Sequence, residues 1–585
     1  MKRRLATAAL FVVLTACSSG GSDPRTAANT TAPTAPTSST SPSTGTSSPM
    51  STTTTSTSRP PSTTTTQQLE TPPLGVCWEE PVADSPGALA FEDATQAMGL
   101  IEPLLGFRGH AAGLGDINGD GWPDLVVGTY ADRPVADYQH RGADGPSTDR
   151  LLLGGPDGFR VDLEFAPPPG RTSGVAMADL DGDGDLDVVL ARNYRDNPRG
   201  NAPTVAFEND GGRLIPASEL APRLGARSIG VLDFNADGLL DLFISEDRWS
   251  GGASTLLQNQ GGFRFVDATD RAGLPGDIHG LGVGVADLTG DTWPDIFVSG
   301  SNRLFVAKGD STFREATSPV FEWEPYGDED DPAGVAIADL NRDGLLDLVV
   351  GQHFNSTLDF DIPAPIHLYL NEGTDSQGNP QFRDVTADAQ LPGLSTKAPH
   401  VEIADFDNDG WPDILATASS SGGTRPTIFH HEGLKGGIPL FDTSGDLGDP
   451  QYWVTGATFD ADRDGRLDML LVEWEPRLPS QMFLNESGAG HWLSIEVVPA
   501  TGSGLGSVVR VYDAGGLGNP DALIGSQPIV ASTGYGAGSL AMARFGLGDR
   551  TAVDVEVLLP SGGDRWEFPH LPVDRHVGLP DGCDG

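Results

Sequence analysis

The 585-residue sequence predicts an all-β protein, a seven-bladed β-propeller followed by a small all-β C-terminal domain. Three observations predict it. An acidic nonapeptide, Asp-x-[Asp/Asn]-x-Asp-Gly-x-x-Asp, occurs seven times with start-to-start spacings of 63, 54, 54, 52, 66 and 55 residues. Each copy is flanked by short apolar runs bounded by Gly and Asp, a pattern of strands rather than helices. Gly and Pro number 76 and 46, a turn-rich composition with little room for long helices.

In chain order the first element is an export signal, residues 1–17. Lys2, Arg3 and Arg4 precede an apolar run from Leu5 to Val13 that is too short to span a bilayer. Leu14-Thr15-Ala16-Cys17 then resembles a bacterial lipobox, which implies cleavage before Cys17 and lipidation of that residue. The acyl chains would hold the protein on the outer face of the cell membrane. Residues 18–76 form an expected disordered stalk. Between 18 and 70 the chain has 17 Thr, 13 Ser and 7 Pro, too little apolar surface to offset the entropy of ordering. Cys77 and Cys583 remain once Cys17 is lipidated, and in an oxidising compartment they form a plausible disulfide joining the two ends of the folded region.

The propeller is expected over residues 77–487. Its first loop is Asp116, Asn118, Asp120, Trp122 and Asp124, counting positions 1, 3, 5, 7 and 9; the second is Asp179, Asp181, Asp183, Asp185 and Asp187. The third is Asp233, Asn235, Asp237, Leu239 and Asp241, and the fourth Asp287, Thr289, Asp291, Trp293 and Asp295. The fifth is Asp339, Asn341, Asp343, Leu345 and Asp347; the sixth is Asp405, Asp407, Asp409, Trp411 and Asp413. The seventh is Asp460, Asp462, Asp464, Arg466 and Asp468. A Gly-rich apolar strand precedes each loop (Gly174–Ala178, Gly282–Ala286) and a buried-looking strand follows it (Leu125–Val127, Val188–Leu190). A third strand ends in turns such as Leu368-Tyr-Leu-Asn-Glu-Gly373, and a fourth reads Phe265-Val-Asp-Ala-Thr269. Four strands per repeat of about 50 residues describe propeller blades. The seventh unit lacks its fourth strand, which stands at the other end of the chain as Phe91-Glu-Asp-Ala-Thr95, so the two ends are expected to pair and close the ring.

Positions 1, 3, 5 and 9 supply side-chain oxygens and position 7 a backbone carbonyl, a set that suits one Ca²⁺ per loop, up to seven in all. Mg²⁺ demands a stricter octahedron, and no thiolate lies in the loops for zinc. An EF-hand is excluded because its position 12 needs Glu, whereas here that place holds Val127, Leu190, Ile244, Val298, Val350, Ala416 and Leu471. Asp and Gly also make plain tight turns, but that reading explains one loop and not seven sharing four ligand positions. Loop four departs most: Thr289 replaces the second ligand and Thr292 the glycine, at about 1 kcal/mol if its φ is positive.

With these residues in view the chain resembles the FG-GAP (VCBS-type) repeat proteins, the propeller family that includes the heads of integrin α-chains. Residues 488–585 resemble an ASPIC/UnbV domain through Gly506-Ser-Val-Val-Arg-Val511, Gly534-Tyr535-Gly536, Phe545-Gly-Leu-Gly548, Val553–Val557 and Leu559-Pro-Ser-Gly562. The pairing is similar to the cartilage acidic protein group. The resemblance implies an exported calcium-binding protein of adhesion or ligand-binding type, without catalytic residues.

A formal charge of −46 excludes nucleic acid as a partner and any electrostatic grip on anionic lipid, leaving the lipid anchor as the only membrane contact. The expected partner is an extracellular protein or glycan. The alternative is an extracellular enzyme acting on a polymer such as a glycan. It has thin support, since the one Gly-x-Ser-x-Gly-like segment, Gly502-Ser-Gly-Leu-Gly506, lacks the central Ser. His110, His279 and His400 are expected to pack or cap, and Trp122, Trp293 and Trp411 to pack on neighbouring blades rather than stack on sugar. The sequons at Asn355 and Asn485 carry little weight in a bacterial host.

Overall fold

The computed structural model describes residues 75–79, 88–195, 200–221, 225–249, 251–321, 331–354, 366–391, 400–417, 427–444, 447, 452–488 and 490–580. The signal, Cys17, most of the stalk, Asn355 and Cys583 lie outside the described residues. Everything described belongs to the unit Leu69–Gly585.

Each nonapeptide joins the first two strands of an antiparallel blade. The innermost strands are Gly109–Gly115, Thr172–Ala178, Ala226–Leu232, Gly280–Ala286, Asp331–Ala338, Val401–Ala404 and Trp453–Phe459, one per blade. They are small and apolar because neighbouring blades converge there. A Cβ added at Gly113 would stand 2.3 Å from a methyl of Val175 in the next blade. The core accordingly lies between blades: Val126 and Leu151 pack with Val175 and Val188 between blades one and two, and Leu368 and Val349 with Ile414 and Phe429 between five and six.

The ring closes as the missing strand required. Phe91–Asp93 pairs with Gln481–Asn485 in the register Phe91↔Asn485, Glu92↔Leu484 and Asp93↔Phe483, supplying the outer strand of blade seven. Ala94 N–H donates to Met482 O at 2.9 Å and extends the ladder by one bond.

The N-terminal edge of the propeller is corrected. Gly75–Glu79, which carries Cys77, pairs with Arg575–Leu579 and is a strand of the C-terminal domain. That domain has two four-stranded sheets sharing a core of Leu493, Ile495, Val509, Val511, Phe545 and Val555. It is also more than a module appended to the ring. Its hairpin Ser532–Thr533/Ala537–Gly538 enters the centre of the propeller and pairs with blade one, Ala112 opposite Ala537. At the tip, Gly534 exchanges backbone hydrogen bonds with Val335 of blade five at 2.7 and 3.0 Å. Tyr535 N–H donates to His400 Nδ1 of blade six at 3.0 Å, and Gly536 N–H to Ser228 Oγ of blade three at 3.3 Å. Tyr535 is 0% exposed; its hydroxyl accepts from Arg227 Nη1 at 3.3 Å, and its ring lies 5.3 Å from that of His110. His110 stacks on Tyr130 at 4.4 Å, so His110 and His400 are spent on packing and capping around this plug.

Candidate metal centres

The seven loops share one internal wiring. In loop one the Asp116 carboxylate accepts from Asp120 N–H at 3.2 Å and Gly121 N–H at 2.6 Å, while Asp120 Oδ1 accepts from Trp122 N–H at 2.9 Å. The position-1 carboxylate does the same for at least two loop amides in every copy, with Asp179 taking Gly182 and Gly184 and Asp287 taking Gly290, Asp291 and Thr292. Two left-handed residues make this possible: position 6, as at Gly121 (φ 83°), and also position 4, as at Gly119 (68°), Ala236 (55°), Arg342 (59°), Asn408 (54°) and Arg463 (62°). Sequence reasoning found the first and missed the second, because only some copies have Gly or Asn there.

Position 9 is the most buried ligand. Both oxygens of Asp241 accept backbone N–H groups, from Phe234 at 3.3 Å and from Asn259 of the third strand at 2.7 Å. Asp124, Asp187, Asp295, Asp347, Asp413 and Asp468 repeat the arrangement, each at most 1% exposed. Burial pushes these carboxyls up despite the amides, Asp124 and Asp187 to about 7 and Asp241 to about 8, while Asp295, Asp347, Asp413 and Asp468 lie well above the usual range. Burial first, and then repulsion from Asp409, Asp413 and Asp407, raises Asp405 in loop six. Carboxylates gathered this closely and taken out of water need a cation to be ionised at neutral pH.

The donor set fits one. In loop two Asp179, Asp181 and Asp187 offer oxygens within 4.8 Å of one another, as do Asp405, Asp407 and Asp413 in loop six and Asp460, Asp462 and Asp464 in loop seven. Oxygens bound to a common Ca²⁺ at about 2.3–2.6 Å span up to about 5 Å, so each trio can share one ion. In loops one, three and five the position-3 amide closes the turn instead: Asn118, Asn235 and Asn341 donate to the position-5 carboxylates at 3.0, 2.9 and 2.9 Å. Their Oδ1 atoms remain on the loop side, accepting the position-5 N–H.

Two residues at the centres were not foreseen. His430, on the third strand of blade six, places Nε2 3.4 Å from Asp407 Oδ2 and Nδ1 3.1 Å from Glu432; these carboxylates raise it to about 10 despite partial burial. Arg466, expected to offer only its carbonyl, also folds its guanidinium onto Asp464. Two of the three loop tryptophans are covered by arginines of adjacent loops, Arg463 at 4.0 Å from the Trp122 ring and Arg342 at 3.2 Å from that of Trp411, while Trp293 packs against the hydrophobic core cluster that holds Phe305 and Phe313. Those arginines are position-4 residues, and each donates to the position-6 carbonyl of the next blade, Gly121 and Gly410, as Asn408 does to Gly465.

Loop four has the strained Thr292, at φ 72°. Its side chain has another role. Thr292 O accepts from Ser561 N–H at 2.6 Å and Thr292 Oγ1 from Gly562 N–H at 2.8 Å, so the Leu559–Gly562 turn of the C-terminal domain docks on this loop.

The FG-GAP-like repeat model matches residues 116–190, 233–298, 287–350 and 405–471, each match spanning acidic loops and the strands around them. Cartilage acidic protein 1 of Homo sapiens is 29% identical over 430 residues, covering 67% of this chain and 60% of the human protein, so the match spans less than two thirds of that relative. Integrin alpha-6 of Gallus gallus is 36% identical over 107 residues, 18% of this chain and 9% of the integrin. Among solved structures, an exotype rhamnogalacturonan lyase aligns with a TM-score of 0.36 and 13% identity over 70% of this chain and 76% of the lyase, a likeness too distant to bear on function. Repeats matched loop by loop, on blades that close into a ring, give this chain FG-GAP-like repeats and a similarity to cartilage acidic protein 1 over about two thirds of its length.

Proposed function

We propose that the chain is an exported, lipid-anchored, calcium-stabilised propeller that binds an extracellular protein or glycan without chemical turnover. The observation that carries the reading is the set of buried carboxylates in the loops. Position-9 aspartates at most 1% exposed, facing further carboxylates rather than arginine or lysine in most loops, are the donors of a hard dication site. Relatedness to cartilage acidic protein 1 and to integrin α-chains supports a binding rather than a catalytic role. The lipobox at Cys17 supports the anchor, and the pairing of the Cys77 strand with Arg575–Leu579, just before Cys583, supports the disulfide.

The test is thermal unfolding with chelator and with millimolar calcium. A rise of many degrees on adding calcium, reversed by chelation, is the expected result. A melting temperature indifferent to both rejects calcium as the stabilising ligand.

A further inference from the structure

The seven loops are not equivalent, because the C-terminal domain covers only part of their face. Loop four receives Ser561 and Gly562 as described. Loop five receives Arg510, whose Nη2 donates to Gly344 O at 3.1 Å. In loop six Gly490 N–H donates to Asp407 O at 2.9 Å and Gly548 N–H to Asn408 O at 2.8 Å. Loop seven faces Arg544, 3.6 Å from the Asp460 carboxylate. Loops one, two and three border a cavity of about 700 Å³ between the ring and the C-terminal domain. That size lies within the range of ordinary ligand sites, which favour domain interfaces.

The chemistry of the walls selects an occupant. Asp116, Asp120, Asp179, Asp183 and Glu496 line the cavity against Arg463, which lies over Trp122 and donates to Gly121 O. One dication in each of loops one and two would offset half of the eight carboxylates those loops carry, so the wall stays negative when loaded. His576, 3% exposed, stands on the same wall with its ring stacked on Trp78 at 4.3 Å and its Nδ1 without a hydrogen-bond partner among the described residues. Its Nε2 lies 3.5 Å from Glu496. Trp78 Nε1, on this wall, is a donor without a partner among the described residues. Met177, Leu186, Leu540 and Met542 supply apolar surface between the charges. Abundant acceptors, one indole donor and apolar strips suit a ligand with cationic heads, methylene stems and a carbonyl, which describes a short basic peptide segment.

We propose that this cavity is a binding site for a basic peptide segment, such as a Lys- or Arg-rich stretch of an extracellular partner. The inference deepens the binding reading above and rests on it. Two variants test it without touching the cation loops: Glu496→Lys reverses a charge on the wall, and Thr501→Trp fills the mouth from an exposed position on a wall-forming segment. Trilysine amide is titrated into the calcium-loaded full-length protein at near-physiological ionic strength, where attraction over more than about 8 Å is screened. Triglutamate amide serves as the control, and tryptophan fluorescence and calorimetry as the readouts. Saturable one-to-one binding of trilysine is expected, weakened tenfold or more by each substitution, with none for triglutamate. The calcium-induced rise in melting temperature should be retained in both variants, which shows that they fold. Binding unaltered by both substitutions, or no binding to a protein that still responds to calcium, overturns the cavity assignment alone. Indifference to calcium and peptide together overturns the binding reading beneath it as well.

Discussion

At the scale of single residues, one asparagine does what the acidic motif alone does not. Asn259 ends the third strand of blade three and donates through Nδ2 to Leu240 O in its own loop at 3.1 Å and to Leu180 O in the preceding blade at 2.7 Å. Asn209, Asn371 and Asn485 repeat this reach, and His431 replaces it in blade six through Nε2 to Leu340 O at 3.1 Å. Asn259→Ala leaves two carbonyls with a donor removed, and a loss of about 1–3 kcal/mol in denaturant unfolding is expected. The position-9 aspartates set a pH dependence. In the cation-free chain Asp124, Asp187 and Asp241 titrate at about 7, 7 and 8 against 3.8 when unperturbed, so between about pH 4 and 8 the folded state holds protons that the unfolded state has released. Stability without cation therefore falls as pH rises through that window. Calcium needs the same groups ionised, so its stabilising increment should grow over the same interval. Melting scans with chelator and with calcium at both ends of the window check the opposite signs.

At the scale of elements, the blades were legible because the acidic loop recurs in all seven repeats and two further signals accompany it in several of them. The Gly-rich inner strand, the acidic loop and the Phe-x-x-x-Thr outer strand fix the four-strand order, and the absence of the last in unit seven pointed to Phe91–Asp93. Ala94→Pro removes the Ala94 N–H to Met482 O bond of that closing strand. It should destabilise the ring by about 1–3 kcal/mol in equilibrium unfolding. What the sequence could not show is where elements meet across long separations. Gly75–Glu79 has no pattern that distinguishes an outlying strand of the C-terminal domain from a propeller strand, since its partner lies at Arg575–Leu579. Likewise nothing local in Gly534-Tyr535-Gly536 marks it for the channel, and only the fold shows Tyr535 buried among blades one, three, five and six. His430 was missed for the same reason, being distant in sequence from the loop it joins.

For the whole molecule, ring and C-terminal domain are interlocked through a hairpin in the channel and docked loops at its rim. Tyr535→Ala should create a cavity at the centre of that junction and cost about 3–5 kcal/mol, read as a lower midpoint with a single transition retained. The loops that meet the C-terminal domain are those where carboxylates are most enclosed, as in loops six and seven, so cation binding and domain docking are expected to stabilise one another. The claim on which these points rest is that the repeated aspartates are there for a divalent ion. Counting calcium bound per chain at neutral pH, by equilibrium dialysis of the purified protein, tests it most directly. Saturation at six or seven ions is expected, with loop four the weak one, whereas a count at or near zero in millimolar calcium would mean that the aspartates serve only as turn formers.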